Sequence, residues 1–162
     1  MRRIRWAVGI FIAGLVLSGA TAIPIQSELD GLVRVVDAQA MQEEGGWCGE
    51  LAGWLLRVRE GVSQTNECWP FMAYGGDWLA FGHFIIALLF VPAWRDPVRN
   101  RSLFDCGLIA CALVIPYALI LGGLRGIPWW WRLIDCGFGV LGAIPLLLAR
   151  RWLKPLVCGV NG

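Results

Sequence analysis

Six ionisable side chains sit within or beside long apolar runs of this sequence: Asp77, His83, Asp105, Arg125, Arg132 and Asp135. Charge is expensive inside hydrocarbon, so such groups are the first candidates for chemistry or transport. A helical rise puts His83 about 13 Å into its run, near a bilayer midplane, and Asp135 about 9 Å into its own. Asp77 and Asp105 lie nearer helix ends. Arg101 and Asp105 are four apart and Arg132 and Asp135 three apart, so each pair is expected to share a helix face. Arg125 can reach Asp135 or Asp77. These pairs are expected to neutralise helix ends and pin registry, and His83 with Asp135 forms the alternative of a proton relay. His83 is the only histidine. A bis-histidine haem is therefore excluded within one copy, and a zinc site would need Cys or Asp ligands from other helices. A neutral imidazole bonded to a hydroxyl, carboxyl or carbonyl is expected instead. No metal site is assigned.

The six cysteines contain no C-x-x-C pair. Cys48 and Cys68 fall in the same polar segment, where a disulfide would close a loop of about 20 residues and contribute about 3 kcal/mol. That bridge is the expected one. Cys106 and Cys111 lie on nearly opposite sides of one helix and cannot pair. A membrane thiol–disulfide oxidoreductase using Cys48, Cys68 and Cys136 is thus a third reading, lacking the second cysteine pair such enzymes use. The protease, hydrolase, P-loop and dinucleotide motifs are also missing. No catalytic residue is assigned, and the cofactor, if any, stays open.

These residues are carried on four apolar stretches, about 6–23, 74–93, 103–122 and 129–149, each near the roughly 20 residues a helix needs to cross a bilayer. Of the 162 residues, 57% are hydrophobic and only 16% charged, and the net charge is +2. That composition excludes disorder, an ordinary soluble enzyme and a nucleic-acid partner. Lipid offers nothing to unpaired backbone groups, so each run is expected to be a helix. Of the 14 basic residues, Arg2, Arg3, Arg5, Arg95, Arg99, Arg101, Arg150, Arg151 and Lys154 fall on one side of a four-span threading. The segment 24–69 on the other side is acidic. The excess of arginine places both termini in the cytoplasm. The opening also resembles a signal peptide, with Ala20-Thr21-Ala22 as a cleavage site; its retention as a first span is favoured.

In the segment 24–69, Leu29, Leu32, Val33, Val36, Ala40 and Met41 recur at helical spacing, as do Leu51, Trp54, Leu55, Val58 and Val62. Gly45-Gly46 between them reads as a turn. The expected fold is all-α: a polytopic membrane protein of four transmembrane helices, forming a single membrane domain over 1–162. An extracytoplasmic helical hairpin joins helices 1 and 2. The third and fourth spans also echo each other, as Phe104-Asp105-Cys106-Gly107 with Ile115-Pro116 and Ile134-Asp135-Cys136-Gly137 with Ile144-Pro145. Because these helices run in opposite directions, the echo hints at an inverted repeat. Trp78, Trp94 and Trp129-Trp130-Trp131 fit interfacial belts.

The stretches DWLAFGHFIIALLFVPAWRDPVRN (77–100) and RGIPWWWRLIDCGFG (125–139) resemble segments of uncharacterised bacterial four-span inner-membrane proteins of similar length. The resemblance implies a multi-pass protein of the bacterial cytoplasmic membrane and carries no assigned activity. The expected role is a non-enzymatic accessory or scaffold subunit of a larger membrane complex. Its partners are then the lipid bilayer and other membrane subunits or further copies. A small proton-coupled or solute transporter is the first alternative.

Overall fold

A computed structural model describes residues 1–158, the last four of them by backbone alone. Every regular element among them is helical: α1 (Arg2–Ala22), α2 (Ile25–Val35), α3 (Ala38–Glu44), α4 (Gly46–Cys68), a 3₁₀ turn (Pro70–Ala73), α5 (Tyr74–Arg95), α6 (Arg101–Leu124) and α7 (Trp129–Cys158). Four helices, α1, α5 (with the 3₁₀ turn before it), α6 and α7, are long and apolar enough to cross a membrane. They extend past the expected boundaries into arginine-bearing ends, most of all α7, which continues beyond Arg150-Arg151. Backbone pairing inside a helix does not depend on side-chain polarity, and long basic side chains carry their charge away from the axis. Leu153, only 3% exposed, anchors that extra length.

The chain divides into two compact units, 1–16 with 85–162, and 17–84. In the first, Ile4, Val8, Phe90, Phe104, Leu146 and Leu153 are buried together, joined by Ala7, Ala93, Cys111 and Ala149. Small residues let the helices approach closely. A Cβ on Gly139 would stand 2.5 Å from the Cys111 carbonyl oxygen, and one on Gly107 2.7 Å from a Leu146 methyl. Phe11 and Phe90 stack tilted at 4.8 Å.

The turn between α6 and α7 explains why they lie antiparallel. The Ile127 N–H donates to the Gly122 carbonyl (2.9 Å) and the Gly126 N–H to the Gly123 carbonyl (3.2 Å). That is a Schellman closure, and it needs Gly126 in the left-handed region, at φ 71°. Pro128 follows, and its carbonyl accepts the Arg132 N–H at 3.1 Å to begin α7.

In the second unit, Leu29, Val33, Ala38, Ala52 and Leu55 form a separate small core with Val36, Met41, Leu56, Val58 and Val62 around it. The turn at Gly45-Gly46 is present, with φ of 75° and 64°. The stretch before it is two helices rather than one. Asp37 takes φ 48° and breaks the helix, which rotates the following residues. Ala38 is therefore buried and Ala40 of the expected stripe faces outward; Leu32, before the break, is exposed as well. An Arg59–Asp30 ion pair and an Asn66 to Gln26 hydrogen bond of 2.6 Å tie α4 to α2.

Candidate functional site

Asp105, Arg132 and Arg150 of α6 and α7 find partners, but not those their sequence spacing suggested. Asp105 lies 3.0 Å from Arg150 of α7, with both side chains about half exposed. The expected Arg101–Asp105 pair is absent among the described residues. An antiparallel neighbour brings a long side chain across the groove at no cost in helix geometry, whereas an i, i+4 pair must fold along its own helix. The expected Arg132–Asp135 pair is likewise replaced. Arg132 Nη1 donates to the Leu119 carbonyl at 3.2 Å, its aliphatic stem covers Gly122, and its guanidinium lies over Gly123. Leu119 lies near the C-terminal end of α6, the negative pole of the helix dipole, and a guanidinium placed there is favoured electrostatically. Asp135 is left half-buried on α7 with no ion-pair partner among the described residues. Arg125 caps the end of α6 through its backbone N–H, donated to Leu121.

His83 and Asp77 belong to the second unit. His83 Nδ1 lies 2.8 Å from the Leu79 carbonyl, one turn back on its own helix. A carbonyl only accepts, so Nδ1 holds the proton in this contact and Nε2 is left available. Its Cβ lies where α1 crosses α5: a Cβ on Gly19 would stand 3.1 Å from it and 2.9 Å from the Ala80 carbonyl oxygen. Asp77 sits in the first turn of α5, where an acid favours the helix dipole. A cleft of about 710 Å³ opens nearby in the same unit, lined by Ile23, Gln26, Val62, Asn66, Met72 and Gly76 among others. Its polar groups are amides and hydroxyls, and His83 does not line it. Asn66 and Gln26 were not singled out from the sequence, where nothing marks two amides 40 residues apart.

The expected Cys48–Cys68 disulfide is not formed; both thiols are free and exposed. They occupy the two ends of the unbroken helix α4, and 20 residues of helix separate them by about 30 Å. A disulfide holds its Cα atoms within about 7 Å. Cys111 and Cys136 are buried, and Cys136 Sγ faces the Ile115 carbonyl at 3.8 Å. No group of three or more potential metal ligands comes together among the described residues. The sequence echo between α6 and α7 does not become structural symmetry. Gly107 is packed against Phe90 and Leu146, while a Cβ on its counterpart Gly137 would meet nothing within 4 Å. Cys106 is exposed where Cys136 is buried.

No known protein family, curated protein or solved structure matches the chain.

Thiol reactivity follows from this placement. In detergent at neutral pH, maleimide is expected to modify Cys48 and Cys68 readily and to leave Cys111 and Cys136 untouched until the protein unfolds. Intact-mass measurement before and after denaturant checks it. A mass deficit of two hydrogens with unreactive Cys48 and Cys68 would contradict the continuous helix.

Proposed function

We propose that this protein is a non-enzymatic accessory or scaffold subunit of a larger complex in a bacterial cytoplasmic membrane. The observation that carries the reading is how its intramembrane polar groups are used. Arg132 holds the end of α6, Asp105 and Arg150 join α6 to α7, and His83 bonds its own helix. Each of these contacts fixes a helix, and His83 is tied through Nδ1 to its own backbone rather than to a carboxylate. The oxidoreductase reading loses its entry pair with the separation of Cys48 and Cys68. No more than 22% of the residues along each apolar stretch are buried, so broad helix faces remain for lipid and for neighbouring subunits.

The start of α1 and the end of α7 lie in the cytoplasm, and α2–α4 form the extracytoplasmic helical hairpin. Support comes from the charged end of the first unit. Arg5 Nη2 donates to the Arg95 carbonyl at 3.0 Å, and Asp105 meets Arg150, so the starts of α1 and α6 and the ends of α5 and α7 share one level. Nine basic residues gather there against Asp96 and Asp105, the bias that marks a cytoplasmic face.

Gentle detergent extraction followed by native mass spectrometry tests the role: a co-purifying complex is expected, and solitary monomers would overturn it. Orientation has its own test. A membrane-impermeant maleimide on intact cells is expected to label Cys48 and Cys68. A cysteine placed by Arg99→Cys should be protected until the membrane is opened.

A further inference from the structure

The Asp105–Arg150 pair lies at the charged end of the groove between α6 and α7, with both side chains about half exposed. One helical turn further out, α6 carries Arg101 and α7 carries Lys154. Because the helices are antiparallel and register at 105 and 150, 101 and 154 stand opposite each other. Both are exposed, and neither has an ion-pair partner among the described residues. Three cations thus lie within one helical turn of a pair that holds one carboxylate, leaving a local charge of +2. One turn in the other direction the same groove is flanked by Ile109 and Leu147, which are 60% and 53% exposed. A site with unneutralised cations at its mouth and open hydrocarbon surface below has the polarity of a phospholipid. The phosphate needs the cations, and the acyl chains need the apolar walls.

We propose that the α6–α7 groove binds an anionic phospholipid, its headgroup phosphate held by Arg101 and Lys154 with Arg150 beneath, and its chains lying along Ile109 and Leu147. A free phosphate shares the headgroup chemistry but makes no use of the apolar walls. An arginine fork suits phosphate oxygens, and a lysine adds a point charge. The inference rests on α6 and α7 crossing a bilayer, and not on the accessory role.

The test uses the full-length chain in neutral detergent, titrated with phosphatidylglycerol, phosphatidylcholine or inorganic phosphate, and read by native mass spectrometry and thermal melting. Arg101→Gln/Lys154→Gln leaves the Asp105–Arg150 pair in place. Phosphatidylglycerol is expected to be retained over phosphatidylcholine and to raise the melting temperature. The double variant is expected to lower its apparent affinity about twenty-five-fold, about fivefold for each cation removed. Arg34→Gln/Arg57→Gln, exposed on α2 and α4 of the second unit, serves as the control and should leave affinity within twofold. Equal retention of both lipids, an affinity unchanged in the double variant, or stabilisation by inorganic phosphate equal to that by lipid would each overturn the proposal. So would an acidic protein subunit found seated there instead. Carbonate extraction of the membranes reports insertion separately, and protein partners appear as masses distinct from lipid adducts.

Discussion

Gly139→Ala is expected to loosen the α6–α7 pair, while Gly137→Ala, two residues away on the same helix, is expected to stabilise it slightly. Both replacements gain helix propensity, about 1 kcal/mol relative to glycine. They differ in what the new methyl meets. On Gly139 it would stand 2.5 Å from the Cys111 carbonyl oxygen and 3.2 Å from Val114 Cβ. The first of these is backbone, which cannot swing aside, so one helix must retreat from the other. On Gly137 it meets nothing within 4 Å. Overpacking of this kind costs typically about 1–3 kcal/mol. Cys111 is the reporter, since its sulfur lies against the same interface, 3.1 Å from a Cβ built on Gly142. Less the propensity gain, a net loss of about 1 kcal/mol would raise its maleimide modification rate roughly fivefold under opening-limited conditions. Equal rates in the two variants would place the wrong face of α7 against α6.

The fold was legible where one physical signal dominated. Four runs of apolar residues, each long enough to cross hydrocarbon, locate α1, α5, α6 and α7, because runs without the alternation of barrel strands satisfy their backbone groups in lipid only as helices. The ends were not legible, since basic side chains tolerate either environment. Asp37 hid its break for a different reason: the apolar spacing continues through it, and the left-handed backbone of one aspartate leaves no mark in the pattern. The disulfide failed on stiffness. Counting residues between Cys48 and Cys68 treats the chain as flexible, whereas α4 is a rod.

The polar partners show a subtler limit. Spacing along one helix suggested Arg101 for Asp105 and Asp135 for Arg132, but the contacts made are between helices. One of them was recoverable. Gly126 followed by Pro128 marks where the chain reverses, and residues equidistant from that turn must face each other. Counting outward brings Gly122 to Arg132, Gly107 to Leu146 and Asp105 to Arg150, the contacts observed. The bond from Arg132 to the Leu119 carbonyl was less accessible, because a backbone acceptor has no letter in the sequence.

Phe104→Ala is expected to be the most damaging single truncation in the first unit, and comparison with Phe138→Ala separates packing from hydrophobicity. Phe104 is fully buried, at 0% exposure, within the cluster of Ile4, Val8, Phe90 and Leu146; Phe138 is 64% exposed. In water both would owe much of their effect to transfer from solvent. Within a bilayer the surroundings of Phe138 are themselves hydrocarbon, so removing its ring returns lipid contact for lipid contact. Phe104 has packed neighbours that close only partly over the space left, and their lost dispersion contacts are not replaced. The cost should therefore fall near the low end of the range for a buried phenylalanine, about 3 kcal/mol, and under about 0.5 kcal/mol at the lipid-facing position. Reversible unfolding from detergent mixed with increasing dodecyl sulfate, followed by tryptophan fluorescence, measures both. Similar losses at the two positions would mean that residue 138 is covered by protein rather than lipid. A monomer in detergent would then have to supply that cover from its own chain, against the exposure seen for α7.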